Sequence, residues 1–160
     1  MDGTNVKWTI ETNDAISLVT LKGYINEEFA YDQLIEQLQQ IKNTELIIDL
    51  KSIRRINSMG IRQWFSFART LKWHKPVKLV NLSNSFRLAL SPIEDFAQGF
   101  VVESIYLDMW CTECAEDFEI LLEKADSPKS DSAVPCPHCD QECLLDVARI
   151  EHFFDPNACL

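Results

Sequence analysis

The sequence predicts an α/β fold, with helices packed on a mixed, mostly parallel sheet, followed by a small C-terminal module. Three observations support this prediction. Short apolar strands alternate with amphipathic helices over residues 1–105, one apolar run has the length of a buried strand, and two CxxC pairs follow. We expect two units, 1–105 and 106–160, the second of a size at which a bound metal commonly assists folding.

The first unit opens with a predicted β-hairpin. Residues 6–10 and 16–20 alternate apolar and polar side chains on either side of a polar turn. Leucine and isoleucine then recur at helical spacing in 34–41, behind Glu27 and Glu28, whose negative charges suit the start of a helix. The order so far is strand, strand, helix.

The middle of the unit continues the alternation of strands and helices. The run Leu46–Leu50 is almost entirely apolar and reads as a strand buried on both faces. A second strand is expected at 77–82, a helix interrupted by Pro92 at 86–96, and a last strand at 101–106. Between the strands at 46–50 and 77–82 a helix is predicted from apolar residues at helical spacing, Ile61, Trp64, Phe65, Ala68 and Leu71. Such alternation implies crossover connections and parallel strands.

Four cysteines in two CxxC pairs predict a metal site in the C-terminal module. Cys111 and Cys114 form one pair, Cys136 and Cys139 the other, and 21 residues separate the pairs. Four thiolates at this spacing favour one tetrahedral zinc ion, and they leave no coordination position for water or substrate. We therefore expect a structural zinc in a rubredoxin-like ribbon of two hairpins.

Two other uses of the cysteines are weighed against zinc. Disulfides need an oxidising compartment, and residues 1–14 lack the basic start and apolar run of a secretory signal. A redox dithiol would need only one CxxC pair. Both alternatives are less favoured than zinc. No stretch approaches the roughly 20 apolar residues of a membrane span, so a soluble, cytoplasmic protein is expected.

The net charge of −10 is placed unevenly along the chain. Residues 1–105 carry 12 acidic and 12 basic side chains, whereas residues 106–160 carry 13 acidic and 3 basic ones. An acidic ribbon repels phosphates, so nucleic acid is not an expected partner. A basic protein surface fits better, and a solvated acidic face that only maintains solubility is the simpler alternative.

The stretch 46–61, which reads LIIDLKSIRRINSMGI, resembles the signature of STAS domains. This is the fold of anti-sigma factor antagonists and of the cytoplasmic tails of sulfate transporters. In that family a buried strand ending in Asp-Leu leads to an Asp-Ser-x-Gly turn that opens a helix. The order of elements over residues 6–106 is also similar. The resemblance covers about two thirds of the chain and implies a STAS-like fold.

The resemblance to the antagonist branch implies a modification site. There, a partner kinase phosphorylates the serine of Asp-Ser-x-Gly, and phosphorylation switches which protein is bound. The matching residue here is Ser58. A phosphate at the first turn of a helix lies in favourable dipole potential, so the chemistry is plausible. The alternative is that Ser58 is an ordinary helix N-cap.

This sequence departs from the family pattern in two ways. Asn57 replaces the aspartate, which keeps the size and removes the charge. The neighbourhood is also basic, through Lys51, Arg54, Arg55 and Arg62. Basic side chains can clamp a phosphoserine or bind an anionic partner without phosphorylation. Solvated loop residues are the simpler reading of the arginines. We take Asn57 and the three arginines as candidate partner-binding residues.

Aromatic residues in the helix after Ser58 add a further candidate surface. Trp64 and Phe65 are expected in the core, whereas Phe67 lies off the predicted apolar stripe. Phe67 is therefore predicted to contact a partner, a second copy of the chain or the ribbon. Met59, next to Ser58, is placed on the same partner-binding face.

Three functional hypotheses follow. The first is a non-catalytic, bacterial partner-switching regulator resembling an anti-sigma factor antagonist, with a serine kinase or anti-sigma-like protein as partner. The second is a constitutive docking or anion-sensing subunit without phosphorylation. Thiol or metal catalysis is disfavoured, because the sequence has no GxxxxGK[ST] loop and no evident nucleophile and base pair. The oligomeric state is not predicted.

Overall fold

A computed structural model describes residues 5–41, 44–93, 96–97, 99–126 and 132–154. Its elements follow the predicted alternation and then add two hairpins and a final helix. In chain order they are β1 (Lys7–Thr12), β2 (Ile16–Ile25), α1 (Tyr31–Gln39), β3 (Glu45–Ile56), α2 (Ser58–Thr70), β4 (Lys78–Val80), α3 (Asn84–Leu90), β5 (Val101–Val102), β6 (Ser104–Trp110), β7 (Asp117–Glu123), β8 (Ala133–Pro135), β9 (Glu142–Leu144) and α4 (Val147–Phe154).

Within the described residues, the main sheet has five strands in the order β1-β2-β3-β4-β5. β1 and β2 form the predicted antiparallel hairpin, and the other neighbouring strands pair in parallel. The crossovers run through α1, α2 and α3, as the alternation of strands and helices requires. The expectation of a mixed, mostly parallel sheet with packed helices is therefore confirmed.

The helices cover one face of the sheet. In β3 the side chains of Leu46, Ile48 and Leu50 are fully buried under them, whereas Ile47 and Asp49 on the other face are only half-buried. The prediction that this strand is buried on both faces is therefore wrong. A central strand in a sheet covered on both sides would bury every residue, but here the second face stays partly open.

α2 packs in the centre of the core, and here the prediction for Phe67 is wrong. Its side chain is fully buried, with its ring centroid 5.5 Å from that of Trp64 and 6.0 Å from that of Phe29. Phe65 is only half-buried. The buried stripe runs through positions 64, 67, 68 and 71, which is itself the spacing of one helical face. Phe67 therefore stabilises the fold and offers no surface to a partner.

α3 ends where Pro92 requires it to end. Its N-terminus is capped by the Ser83 hydroxyl, which accepts the N–H of Phe86 at 3.3 Å. The helix finishes at Leu90 with Ser91 as C-cap, two residues before the proline. Its apolar face inserts Phe86 against Trp64, with a centroid distance of 4.9 Å.

The C-terminal module is joined to the sheet by an almost continuous strand. β5 and β6 are separated only by Glu103, and Leu82 beyond β4 bridges Ile105 in β6. β6 then pairs with β7, and β8 with β9, which confirms the two predicted hairpins. The module also contacts the first unit through α4, whose Ile150 and Phe153 are buried in the main core.

α4 was not predicted, and it affects the division of the chain at residue 105. Its residues belong to the expected module 106–160, yet they pack on the first unit, where the ring centroid of Phe153 lies 5.1 Å from that of Phe96. The described chain thus leaves the sheet, forms the cysteine-bearing hairpins and returns to the core. The boundary at 105 stays a prediction about independently folding units.

Candidate functional site

The four predicted cysteine ligands come together at one point between the two hairpins. Their Sγ atoms all lie within 4.8 Å of one another. The sulfurs of Cys111 and Cys139 are 3.6 Å apart, and those of Cys114 and Cys136 are 3.7 Å apart. Sulfurs at two corners of a tetrahedron with metal bonds of about 2.3 Å lie about 3.8 Å apart, whereas disulfide sulfurs lie about 2.05 Å apart. The geometry fits one four-coordinate metal.

Each CxxC pair sits in a tight turn held by backbone hydrogen bonds. In the first turn the N–H of Cys111 donates to the carbonyl of Glu116 at 3.0 Å, and the N–H of Ala115 donates to the carbonyl of Cys111 at 2.9 Å. Residues 136–141 repeat both bonds, at 2.8 and 2.9 Å. The two turns are therefore equivalent, and each presents two thiols to the same point.

Both turns require a left-handed backbone at the residue after the second cysteine. Ala115 has a φ of 57° and Asp140 a φ of 60°. Asp tolerates this conformation better than Ala, whose Cβ approaches the following carbonyl oxygen. The metal-binding geometry is thus formed at a cost in backbone strain that is greatest at Ala115.

The thiols differ in how readily they lose their protons. The backbone N–H of Cys114 donates to the sulfur of Cys111 and lowers the pKa of that thiol to about 6. Burial disfavours the thiolate of Cys114 and raises its pKa to about 12. The surroundings thus favour the thiolate of Cys111 over that of Cys114, and a bound metal would supply charge that stabilises a thiolate here.

Two further residues lie next to the ligands. Cys143 is buried in a small apolar cluster with Cys111 and Cys136, so it acts as a core residue. The side chain of His138 is exposed and is not one of the four converging ligands. The cysteine spacing alone was sufficient to find this site.

The second candidate site is the N-terminus of α2. Asn57 caps the helix: its Oδ1 accepts the N–H of Gly60 at 2.7 Å, and its backbone has an extended conformation. Ser58 is the first helical residue and is exposed. The alternative that Ser58 is the N-cap is therefore wrong, and its hydroxyl is not used for capping.

The amide of Asn57 also faces a carboxylate that sequence reasoning missed. Its Nδ2 donates to the Glu27 Oε2 at 3.2 Å, and the Gln63 Nε2 donates to the Glu27 carbonyl at 3.1 Å. The backbone N–H of Glu27 and then the Asn57 amide lower the pKa of the Glu27 carboxyl. Because 30 residues separate Glu27 from Asn57, no local pattern in the sequence predicts this contact.

Gly60 brings α2 against the end of β2. A Cβ atom built on Gly60 would lie 2.1 Å from the carbonyl oxygen of Ile25, far inside van der Waals contact. The N–H of Asn57 donates to this same carbonyl at 3.2 Å. The glycine of the Asn-Ser-x-Gly sequence is therefore needed for the close approach of two backbones.

The candidate arginines surround this helix start. Gly23 pairs with Ile53 and Tyr24 with Arg55, so Arg54 is an extra residue in a β-bulge. The bulge leaves Arg54 and Arg55 exposed in succession, and the guanidinium of Arg55 lies 5.5 Å from the centroid of the Tyr24 ring. None of the arginines at 54, 55 and 62 forms an ion pair with another described residue.

Ser58, Met59 and Arg62 complete this surface. Arg62 is exposed one helical turn after Ser58 and so lies on the same side of α2. Met59 is 45% exposed, which is high for an apolar side chain. Asn57, Met59 and Arg62 thus lie at the start of α2, Arg54 and Arg55 lie in β3 directly before it, and Phe67 is buried.

In the part of the chain that the structure describes, no helix is long and apolar enough to cross a membrane.

Comparison with known proteins gives similarity to solved structures. No family model matches the sequence, and no curated protein matches it. Among solved structures, the chain is similar to the crystal structure of an anti-sigma factor antagonist from Mycobacterium paratuberculosis, with a TM-score of 0.49 and 19% sequence identity. The alignment covers 61% of this chain and 84% of that one.

Proposed function

We propose that this protein is a non-catalytic regulator that binds other proteins and is switched by phosphorylation of Ser58. One observation carries the proposal: Ser58 is exposed at the first position of α2 while Asn57 caps the helix. A kinase can therefore reach the hydroxyl, and modification does not remove the cap. The resemblance of residues 46–61 to the STAS signature supports the same function.

A phosphate on Ser58 would change the charge of a surface that carries both positive and negative side chains. The helix N-terminus and Arg62 favour the added negative charge. Glu27, held by Asn57, opposes it. Phosphorylation would thus draw the arginines towards Ser58 and weaken contacts made by Glu27. A partner that binds this face would meet a different charge pattern in each state.

We further propose that the four-cysteine site holds a structural zinc ion. Zinc prefers four thiolates in a tetrahedron, and the positions of the sulfurs fit that arrangement. All four coordination positions would be filled by protein, so the metal would fix the two hairpins and take no part in a reaction. The acidic ribbon would then be a rigid surface for a basic region of a partner.

A second function is favoured by the arginines. Those at 54, 55 and 62 lack ion-pair partners among the described residues, and Asn57 stands where the antagonist family has aspartate. A constitutive docking module, or one that senses an anionic ligand, would use this basic face without phosphorylation. The two functions differ in whether Ser58 or the arginines control binding.

The proposal is tested by capturing partners in the original cells. Tagged wild type, Ser58→Ala and Ser58→Asp are expressed there, and co-purified proteins are quantified by mass spectrometry. The switch predicts that the alanine and aspartate variants retain different partners. Ser85→Ala is the matched control, since Ser85 is also an exposed serine in the first turn of a helix. It should capture the wild-type set.

The constitutive function predicts another pattern. Both Ser58 variants would then capture the same proteins as wild type, and only a double Arg54→Glu and Arg55→Glu variant would lose them. That result would overturn the switch. Circular dichroism of each variant establishes that a lost partner does not reflect a lost fold.

A further inference from the structure

The first strand leaves one edge of the main sheet open. β1 stands at the end of the strand order, and no strand among the described residues pairs with its outer side. It pairs regularly with β2 along its whole length, Lys7–Thr12, and contains no proline. The strand at the other end of the order, β5, has only two residues. A regular edge strand without a bulge or a proline offers its backbone N–H and C=O groups to another strand.

The sequence of β1 is complementary to itself when two copies of the strand run antiparallel. If the arrangement is centred on Thr9, this residue lies opposite Thr9 of the second copy. On the same face Lys7 lies opposite Glu11 of the second copy, and on the other face Trp8 lies opposite Ile10. Threonine pairs, aromatic residues beside β-branched ones, and opposite charges are all favourable across strands.

Only one register places the opposite charges together. Antiparallel copies of one strand can shift only in steps of two residues, because a shift of one moves every side chain to the wrong face. One such step would place Lys7 opposite Thr9, and a step in the other direction would place Glu11 opposite Thr9. The pattern therefore favours a two-fold contact centred on Thr9, in which the same patch of both copies is used.

Within a single chain, the charges of β1 face no opposite charge. Lys7 lies directly across from Lys22 in β2, and like charges in this position are unfavourable. Glu11 lies across from Leu18. Lys7 and Glu11 are both exposed, and neither forms an ion pair with another described residue. A second copy in the Thr9-centred register would give each of them its counterion.

The apolar side of β1 also suits a second copy. Trp8 and Ile10 are half-buried against the main core, so a neighbouring strand would cover the parts that are still exposed. The indole is fixed by α1, because the Trp8 Nε1 donates to the Gln37 Oε1 at 3.0 Å. Gln33 lies one helical turn earlier, on the same side of α1. These glutamines are uncharged, so the two α1 helices would approach each other without like-charge repulsion from this side.

We propose that two copies of this chain pair through β1, antiparallel and centred on Thr9, so that their main sheets become one continuous sheet. The occupant of the edge is a second copy because β1 itself carries both members of each charge pair. The contact uses neither Ser58 nor the four cysteines. It is therefore independent of the proposed function.

Sedimentation velocity of the full chain over a range of concentrations tests the proposal. We expect a concentration-dependent species with twice the 18.4 kDa mass of one chain. Lys7→Glu or Glu11→Lys alone should weaken this dimer at least tenfold, because each makes both charge pairs repulsive. An equal mixture of the two variants should restore it, since every pair between the chains then joins an acid to a base. The matched control is Lys124→Glu, at an exposed lysine after β7, which should stay within twofold of wild type.

Cysteine cross-linking tests the register separately from the charges. Thr9→Cys places two thiols face to face on the two-fold axis, within the Cα separation of about 4.4–6.8 Å that a disulfide needs. Mild oxidation should therefore link the copies, and peptide mass spectrometry should map the bond to position 9. Lys7→Cys is the matched control on the same face of β1. Its two copies would lie about 14 Å apart along the strands and should not cross-link.

Several results would overturn the proposal. They are a wild-type chain that is monomeric at every concentration, a variant mixture that does not regain the dimer, and a Thr9→Cys chain that cross-links no more than Lys7→Cys. A dimer that Lys7→Glu leaves unchanged would assign the contact to another surface and would equally overturn it. Thermal melts establish that these exposed substitutions leave the fold of each chain intact.

Discussion

The side chain of Asn57 links the start of α2 to Glu27. Its Oδ1 accepts the Gly60 N–H at 2.7 Å, while its Nδ2 donates to the Glu27 carboxylate at 3.2 Å. An aspartate at position 57 could make the first contact but not the second. With an amide at position 57, the negative charge near Ser58 is supplied by Glu27, from another part of the chain.

The first prediction concerns the acidity of Glu27. Asn57→Ala removes one of the two hydrogen bonds that lower the pKa of this carboxyl, so the pKa should rise towards its ordinary value. The pKa of the Glu27 carboxyl is lower in the folded protein than in the unfolded one, so ionised Glu27 stabilises the fold at pH values above the unfolded-state pKa. This stabilisation is lost as the pH falls through the folded-state pKa. Carbon-13 NMR titration of the side-chain carboxyl measures the change.

The matched variant for this prediction is Asn57→Asp. It keeps the cap but brings a second carboxylate to Glu27, which should raise the pKa of Glu27 above that in Asn57→Ala. Equal Glu27 titrations in wild type and both variants would show that the contact does not form in solution. Loss of the cap in Asn57→Ala should itself cost about 1 kcal/mol.

Gly60→Ala should destabilise the protein although alanine favours helices. The new Cβ would lie 2.1 Å from the Ile25 carbonyl oxygen, so α2 must move away from β2. Overpacking of this kind costs about 1–3 kcal/mol, against a gain of about 1 kcal/mol in helix propensity. We expect a net loss in urea unfolding. Thr70→Ala, on the exposed end of the same helix, should be neutral or stabilising.

Ala115→Gly should stabilise the metal-bound protein. Ala115 has a φ of 57°, where glycine avoids a cost of about 1–2 kcal/mol and loses about 0.5–1 kcal/mol in chain entropy. We expect the free energy of unfolding to rise by about 0.5–1 kcal/mol, which a higher melting temperature would report. The control is Ala133→Gly in β8, where the backbone is a regular strand and glycine should destabilise. A lower melting temperature for Ala115→Gly would contradict the turn geometry.

The cysteines should divide into ligands and a core residue. Cys136→Ser should lose the metal and unfold the two hairpins, since structural metal binding is coupled to folding. Cys143→Ala is the matched variant, because Cys143 is buried beside the ligands without being one of the four. Elemental analysis should find one zinc per chain in wild type and Cys143→Ala, and none in Cys136→Ser. Zinc in all three would contradict the four-cysteine site.

Local patterns were sufficient to predict those elements whose cause is local. The alternation of strands and helices, the stop before Pro92 and the cysteine turns each depend on residues a few positions apart. The error at Phe67 had a similar basis: the stripe was drawn through Phe65, whereas positions 64, 67, 68 and 71 are the better helical face. The pattern in the sequence was informative, but the wrong face was chosen.

Features that depend on distant contacts could not be read from the sequence. Nothing local shows that helices leave one face of β3 half open, or that Glu27 meets Asn57. α4 is intermediate, because Ile150, Phe153 and Phe154 have helical spacing. Only the structure shows that this helix packs on the first unit.

A native mass spectrum of the protein isolated from its own cells tests the central claim most directly. It reports bound metal, covalent phosphate and retained partners together. The account predicts one zinc per chain and, in a fraction that varies with growth conditions, one phosphate that fragmentation maps to Ser58. Zinc without any phosphate on Ser58 under all conditions would contradict the switch and favour the constitutive docking module.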